Sequence, residues 1–190
     1  ERIRDGRSFS TRQVVAYQAG GAICTLIASF HLPEESEDAQ RSHLPADAPT
    51  PLDVPAEPTD LFFETRPTRI GAGPARWAWM RATGDLGDDP ALHACALAYL
   101  SDEHLLGAAL SAHSGAGNWE SLMTASLDHA LWFHRPFRVD DWVLFDLQGH
   151  GNADARAFAT SLVFDTSGRQ IATVAQEGLA RVRRAAPGEA

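Results

Sequence analysis

The chain has 190 residues, of which 44% are hydrophobic, so it can bury the core of one large domain or of one and a half smaller ones. Its net charge of -9 argues against sequence-independent nucleic-acid binding, which requires a basic surface that displaces counterions. The sequence has no apolar run of about 18 residues and no charged-then-apolar leader, so neither a membrane span nor secretion is expected.

The spacing of the two cysteines bears on whether the protein works in a reducing or an oxidising compartment. Cys24 and Cys95 lie far apart and outside any paired motif, which is typical of a protein kept reduced inside the cell. We expect both thiols to be small, buried side chains. We predict a cytoplasmic location, because the sequence also lacks a terminal Ser-Lys-Leu peroxisomal address.

Residues 1–32 have the pattern of antiparallel strands joined by tight turns. Phe9 to Tyr17 and Ala22 to Phe30 are rich in strand-forming residues, and Asp5-Gly6 and Ala19-Gly20-Gly21 are typical of hairpin turns. Residues 33–58 then change to Pro, Asp, Glu and Ala. Because repeated prolines disfavour both helices and central strands, this segment is predicted to be an extended connector.

The second module, residues 59–186, has an α+β pattern. Two strands are predicted first, and a helix begins at Asp89-Pro90, where a carboxylate cap precedes a proline, and runs to about Leu110. Its predicted strands are Leu61 to Thr68, Arg76 to Ala82, Ser126 to Phe137, Trp142 to Leu147, Ala155 to Phe164 and Ile171 to Val182. We expect the strand that starts at Ser126 to be central in the sheet.

Three polar side chains in mostly apolar surroundings are candidates for chemistry. Asp102, on the predicted helix, has apolar neighbours one turn away, and a buried, unpaired carboxylate suits a general base. A helix can equally hide an aspartate by hydrogen-bonding it. Gln176 and Ser126 lie on predicted strands, where each could either act on a substrate or only satisfy neighbouring groups.

Asp128 and His129 are adjacent on the strand that starts at Ser126. Strict alternation places Ser126 and Asp128 on one face and His129 on the other, so the Asp-His pair cannot form a simple dyad. We therefore interpret Asp128 and His129 as structural supports.

Four segments taken together identify a family. They are RDGRSFSTRQVVA (residues 4–16), YLSD (99–102), LDHALWFHRPF (127–137) and AQEG (175–178). In this order and at roughly this spacing they resemble the type II acyl-CoA thioesterases, whose fold is a double hotdog, with a long helix wrapped by an antiparallel sheet. The resemblance implies that residues 59–186 form a complete second hotdog. It also implies that residues 1–32 are the last strands of a first, incomplete one, so a longer parent chain is expected.

The resemblance also implies roles for the three candidates. In the family, an aspartate of the helix, a threonine before the Asp-His pair and a glutamine before Glu-Gly hold and activate a water molecule. In this sequence they correspond to Asp102, Ser126 and Gln176. Serine in place of threonine keeps the hydroxyl group, so we expect weakened positioning at most. The implied reaction is direct hydrolysis of fatty acyl-CoA by that water, without a cofactor, a metal ion or a covalent intermediate.

Acyl-CoA is accordingly the expected partner. Arg135 and Arg138 are candidates for contacts with the phosphates of coenzyme A. Exposed sheet edges make assembly favourable, so a homo-oligomer is expected.

Other classes of protein fit the sequence less well. His129 and His134 are five residues apart and so face opposite sides of a strand, which argues against a shared metal ion. A serine hydrolase would show Gly-x-Ser-x-Gly, which is absent. The related hotdog hydratases place a histidine five residues after the aspartate, and Gly107 stands there instead. The alternative that stays open is a module that binds acyl-CoA, or assembles with a partner, without catalysis.

Overall fold

A computed structural model describes residues 1–58, 62–69, 75–110 and 121–183. The predicted start of the second module at residues 59–61 and its end at 184–186 lie outside the described residues. The chain divides into two compact units, Glu1–Ala39 and Gln40–Ala190. None of the described helices is long and apolar enough to cross a membrane.

The first unit is a three-stranded antiparallel sheet. Its strands, in chain order and in sheet order, are β1 (Arg2–Asp5), β2 (Phe9–Gln18) and β3 (Gly21–His31). The predicted turn at Gly20-Gly21 is confirmed, and Gly21 has a φ of 129°, which glycine adopts readily. None of the residues in this unit is buried, and its exposed apolar side chains include Phe9, Val14, Tyr17, Ile23, Leu26 and Ile27. The unit therefore has no hydrophobic core of its own.

The second unit is built on a six-stranded antiparallel sheet. In chain order its strands are β4 (Phe63–Arg69), β5 (Ala75–Ala82), β6 (Leu122–Phe133), β7 (Val143–Ala153), β8 (Arg156–Asp165) and β9 (Gln170–Val182). In the sheet they lie in the order β4-β5-β7-β8-β9-β6. The α+β class is confirmed, because helices α1 (Pro90–Leu100) and α2 (Leu105–Ala109) pack on this sheet.

Both faces of the sheet bury apolar side chains. On one face the helices contribute to the main core, which includes Leu97, Leu100, Leu105, Phe145, Val163, Ile171 and Val174. Each such side chain stabilises the fold by about 1.5–3 kcal/mol when fully buried. A second cluster contains Trp77, Trp79 and Leu144, and Leu44 of the connector packs against it.

The connector is irregular over most of its length, with one short 3-10 helix at Pro51–Asp53. From Gln40 onward it belongs to the second unit and is attached there by hydrogen bonds. Trp79 Nε1 donates to the Pro49 carbonyl oxygen at 2.7 Å, and Gln40 Nε2 donates to the Gly168 carbonyl oxygen at 2.9 Å. The proline-rich segment therefore covers part of the second unit's sheet.

The helix begins as predicted. The Asp89 side chain accepts a hydrogen bond from the Ala91 backbone N–H at 2.9 Å, and Pro90 occupies the first helical position, where a missing N–H costs nothing. The Asp89-Pro90 pair was therefore sufficient to predict where the helix begins.

The prediction of one continuous helix to about Leu110 was wrong. Helix α1 ends at Leu100, and residues 101–104 form a turn before α2 begins. The Ser101 hydroxyl donates to the Ala98 carbonyl oxygen at 2.8 Å, a side-chain bond to the last turn that competes with helix continuation. Asp102 consequently lies in the turn between the two helices.

The expectation that the strand starting at Ser126 is central was also wrong. Strand β6 lies at one edge of the described sheet and pairs with β9. The hairpin of β7 and β8 occupies the middle of the sheet, because β7 pairs with β5 and β9 pairs with β8. Several of β6's apolar side chains are also exposed, including Met123, Leu127 and Trp132.

Both cysteines are exposed, whereas buried thiols were expected. Cys24 lies on β3, in a sheet without a core. Cys95 lies on α1 but away from its buried residues, His93, Leu97 and Leu100. Burial of small apolar residues is a tendency of residue type, and here the position on the element overrides it.

Candidate active site

The turn at residues 101–104 brings Asp102 to the pair of strands β6 and β9, where it meets the other two candidates. Gln176 Nε2 donates to Asp102 Oδ1 at 2.5 Å and to Ser126 Oγ at 2.9 Å. Ser126 Oγ in turn donates to Asp102 Oδ1 at 3.3 Å. The three side chains therefore form a closed hydrogen-bonded triangle.

The two oxygens of the Asp102 carboxylate are not equivalent in this triangle. Oδ1 accepts both hydrogen bonds, whereas Oδ2 has no hydrogen bond among the residues that the structure describes. The described contacts fix the orientation of the carboxylate through one oxygen and leave the other for a further donor.

The three side chains of the triangle differ in solvent exposure. Gln176 is 0% exposed, whereas Ser126 and Asp102 are exposed. The expectation that Asp102 is enclosed by apolar neighbours on a helix was wrong, because the break after α1 carries it to the surface. Gln176 Oε1 is buried and has no partner within the described residues.

A β-bulge in β6 decides which side chains face the turn. Ser126 pairs with Gly178 and Asp128 pairs with Glu177, so Leu127 is an extra residue in β6. Past the bulge the alternation of faces is reversed, and His129 lies on the same side as Ser126. Strict alternation predicted opposite faces for these two residues, which was wrong for that reason.

His129 contacts the residue immediately before Asp102. Its Nε2 lies 2.7 Å from Ser101 Oγ, and His129 is also paired directly with Gln176 across the two strands. Burial lowers the pKa of His129 below its usual value, and the carboxylates of Asp102 and Asp128 oppose that shift.

Asp128 supports the backbone beside Gln176. Its Oδ1 accepts a hydrogen bond from the Glu177 backbone N–H at 3.1 Å. Glu177 forms an ion pair of 3.1 Å with Arg156 on β8. These contacts agree with the interpretation of Asp128 as a structural residue.

The two candidate arginines differ in their surroundings. The Arg138 guanidinium forms ion pairs with Asp88 at 2.7 Å, Asp140 at 2.8 Å and Asp85 at 3.6 Å. Three carboxylates already compensate its charge, which argues against a role in binding phosphate. Arg135 Nη1 donates to the Gln170 carbonyl oxygen at 2.5 Å, so this side chain is attached to the start of β9.

Ser101 is the residue of the site that the sequence argument overlooked. It stands within the YLSD segment, directly before Asp102, and is 2% exposed. A buried serine at a helix end needs hydrogen-bond partners, and that requirement is the signal that could have identified it. Its partner His129 could not be assigned, because the bulge that orients His129 is not visible in the sequence.

A carboxylate, an amide and a hydroxyl are thus held together where the turn after α1 meets β6 and β9. The family model described as Acyl-CoA thioesterase matches residues 59–179. The chain belongs to the type II acyl-CoA thioesterase family.

Similar proteins cover almost all of this chain. Acyl-CoA thioesterase 2 of Haemophilus influenzae is 30% identical over 205 residues, which span 95% of this chain and 72% of that protein. Acyl-coenzyme A thioesterase 8 of Mus musculus is 32% identical over 216 residues, which span 96% of this chain and 67% of that protein.

Solved structures agree with the fold. The crystal structure of acyl-CoA thioesterase II TesB2 from Mycobacterium marinum superposes with a TM-score of 0.84 at 39% identity, covering 98% of this chain and 73% of that one. A protein with a hot dog fold from Alicyclobacillus acidocaldarius superposes with a TM-score of 0.74 at 20% identity. The superposition covers 96% of this chain and 71% of that one. The hotdog prediction is therefore confirmed.

Proposed function

We propose that this protein is an acyl-CoA thioester hydrolase in which Asp102 is the general base. The observation that carries the proposal is the triangle, because Gln176 and Ser126 both bond to Oδ1 of the carboxylate and orient Oδ2 as the proton acceptor. The names of the relatives support the substrate class, since they are acyl-CoA thioesterases.

The proposed reaction is a direct hydrolysis. Asp102 Oδ2 removes a proton from a water molecule while the water oxygen forms a bond to the thioester carbonyl carbon. The carbon–sulfur bond then breaks, and the coenzyme A thiolate leaves and takes up the proton that Asp102 had removed from the water, which regenerates the carboxylate. The products are a fatty acid and coenzyme A, and no bond forms between the acyl group and the protein.

Ser126 and Gln176 act as positioning groups in this proposal. Gln176 uses both of its N–H groups, one on Asp102 and one on Ser126, so its amide orientation is determined by two acceptors. Preorganised groups of this kind lower the barrier because they need no rearrangement during the reaction.

The competing proposal is a module that binds acyl-CoA, or assembles with a partner, without catalysis. The exposed apolar side chains of β2 and β3 favour it, because a sheet without a core gains stability from a covering partner. The edge strand β6, with exposed Leu127 and Trp132, similarly supports the expected homo-oligomer. The cytoplasmic location stays a prediction.

Hydrolysis of a panel of acyl-CoA thioesters with different chain lengths tests the two proposals against each other. The free thiol and the fatty acid are measured in the first turnover and at steady state. A hydrolase that uses water directly releases both in equal amounts from the first turnover, without an earlier burst of thiol. If the folded protein binds acyl-CoA and releases no thiol at any chain length, the binding module replaces the hydrolase.

A further inference from the structure

The turn that carries Asp102 is attached to β6 through Ser101. Ser101 N donates to the Leu97 carbonyl oxygen at 2.9 Å, and its hydroxyl donates to the Ala98 carbonyl oxygen at 2.8 Å. Both contacts lie within the helix that precedes the turn. The contact with His129 Nε2, at 2.7 Å, joins this helix end to a strand 28 residues away in the chain.

The direction of the Ser101–His129 hydrogen bond follows from proton counting. A serine hydroxyl has one hydrogen, and Ser101 donates it to the Ala98 carbonyl oxygen. Ser101 Oγ must therefore accept from His129, which requires a proton on Nε2 of the imidazole. His129 Nδ1 is then an unprotonated acceptor, and it has no partner within the described part of the chain.

His129 also stands directly beside the triangle. The bulge at Leu127 turns its side chain to the face that carries Ser126, and its cross-strand partner is Gln176. His129 thus contacts Ser101, the residue before Asp102. It also lies beside Gln176, which donates a hydrogen bond to the Asp102 carboxylate. A strand without the bulge would point this side chain away from the turn.

We propose that His129 is a positioning residue for the reaction, which acts through Ser101 to hold Asp102 within reach of Gln176 and Ser126. This inference rests on the proposed function, since it assigns His129 a part in the same hydrolysis. Without the His129 bond, Ser101 keeps its contacts to α1, but the turn loses its shorter contact with β6 and keeps the 3.3 Å bond from Ser126 to Asp102. The Asp102 carboxylate then occupies the productive orientation for a smaller fraction of the time.

Four variants test the inference in the full chain. His129→Ala removes the donor, whereas His129→Gln places an Nε2–H at the same number of bonds from the backbone. Ser101→Ala removes the acceptor. His134→Ala is the matched control, because it removes a histidine–hydroxyl contact of 2.8 Å between the residue that follows β6 and Thr173 on β9.

We expect His129→Ala to lower kcat about tenfold with little change in KM, because the lost bond orients a reacting group and not the substrate. His129→Gln should restore most of kcat, and His134→Ala should leave it within about twofold of the unaltered protein. On the Ser101→Ala background, His129→Ala should have no further effect on kcat, because both changes break the same bond. Additive losses in the double variant, or no rescue by glutamine, would overturn the inference.

Crystal structures of the same variants separate this inference from the proposed function. In His129→Ala, Asp102 Oδ1 should move out of hydrogen-bond distance of Gln176 Nε2, and in His129→Gln it should stay within it. An unmoved Asp102 in His129→Ala overturns the inference even where kcat falls. If the unaltered protein hydrolyses no acyl-CoA, the proposed function fails, and the structures still decide whether His129 positions Asp102.

Discussion

Ser126 stands where the resemblance to the family predicts a threonine. Its hydroxyl accepts from Gln176 and donates to Asp102, so it takes part in two sides of the triangle. Because both bonds use the oxygen atom, the absent methyl group of threonine changes neither of them. The departure should therefore matter less than loss of the hydroxyl.

We predict that Ser126→Ala lowers kcat about tenfold, which corresponds to about 1.4 kcal/mol and lies within the usual range for the loss of a hydrogen bond. Ser126→Thr restores the family residue and should retain kcat within about twofold. Steady-state thioester hydrolysis measures both. Equal activity of the alanine variant and the unaltered protein would show that the hydroxyl is only a structural group.

His104 provides a prediction about stability at acid pH. Burial lowers its pKa from 6.5 to about 4, with Glu57 opposing and Arg69 reinforcing the shift, and its Nε2 lies 2.8 Å from Thr65 Oγ1. Between those two pH values the unfolded chain binds a proton that the folded protein excludes. The free energy of unfolding should therefore be highest above pH 6.5 and fall as the pH drops to 4, by up to about 3 kcal/mol.

Urea denaturation at several pH values between 4 and 7 measures this effect. His104→Gln cannot titrate and can keep a hydrogen bond to Thr65, so its stability should fall less steeply than that of the unaltered protein. His129 and His134 also have lowered pKa values and contribute to the same trend in both proteins. Parallel curves for the two proteins would rule out His104 as a source of the acid instability.

At the scale of elements, helix α2 packs closely against β9 at Gly178. A β-carbon at this position would overlap the Leu106 Cδ1 methyl group and lie 3.4 Å from the Ala125 carbonyl oxygen. Leu106 is packed against the main core, so it can move only at a cost. The glycine of the AQEG segment therefore permits the contact between helix and strand two residues from Gln176.

We predict that Gly178→Ala destabilises the protein by about 1–3 kcal/mol in urea denaturation. Gly84→Ala is the matched control, since a β-carbon there meets nothing within 4 Å, and it should change stability by less than about 0.5 kcal/mol. Adding Leu106→Ala to Gly178→Ala should cost less than the sum of the two single changes. Equal stability of the two glycine variants would mean that α2 leaves room for a β-carbon at Gly178.

The elements also show where sequence reasoning succeeded and where it could not. The start of α1 was predictable, because Asp89 and Pro90 act through bonds to the adjacent turn. The break after Leu100 was not, because the Ser101 hydroxyl, which bonds back to Ala98, also accepts a hydrogen bond from His129, which is remote in sequence. The bulge at Leu127 was hidden for the same reason, since it is defined by pairing with β9.

At the scale of the whole molecule, the class of fold and the three candidate residues followed from the order of four sequence segments. Composition and periodicity alone left Asp102, Ser126 and Gln176 open between structural and chemical roles. Their hydrogen-bonded arrangement depends on a turn, an edge strand and the last strand of the sheet meeting at one place. Strand order was not predictable, because β6 comes before β7 in the chain and lies beside β9 in the sheet.

The central claim is that Asp102 is the base, and a single substitution tests it most directly. In Asp102→Asn the amide oxygen can still accept from Gln176 and Ser126, but the group in place of Oδ2 cannot take a proton from water. Asp141→Asn, at an exposed position, is the matched control. Binding of a non-hydrolysable thioether analogue of acyl-CoA verifies that each variant keeps its substrate site.

We predict that Asp102→Asn lowers kcat for acyl-CoA hydrolysis at least about a hundredfold, since a positioned general base contributes about a hundredfold to ten-thousandfold. Its affinity for the thioether should stay within about twofold, and Asp141→Asn should match the unaltered protein in both measurements. An Asp102→Asn variant that binds the thioether and hydrolyses acyl-CoA at the unaltered rate would contradict the assignment of the base.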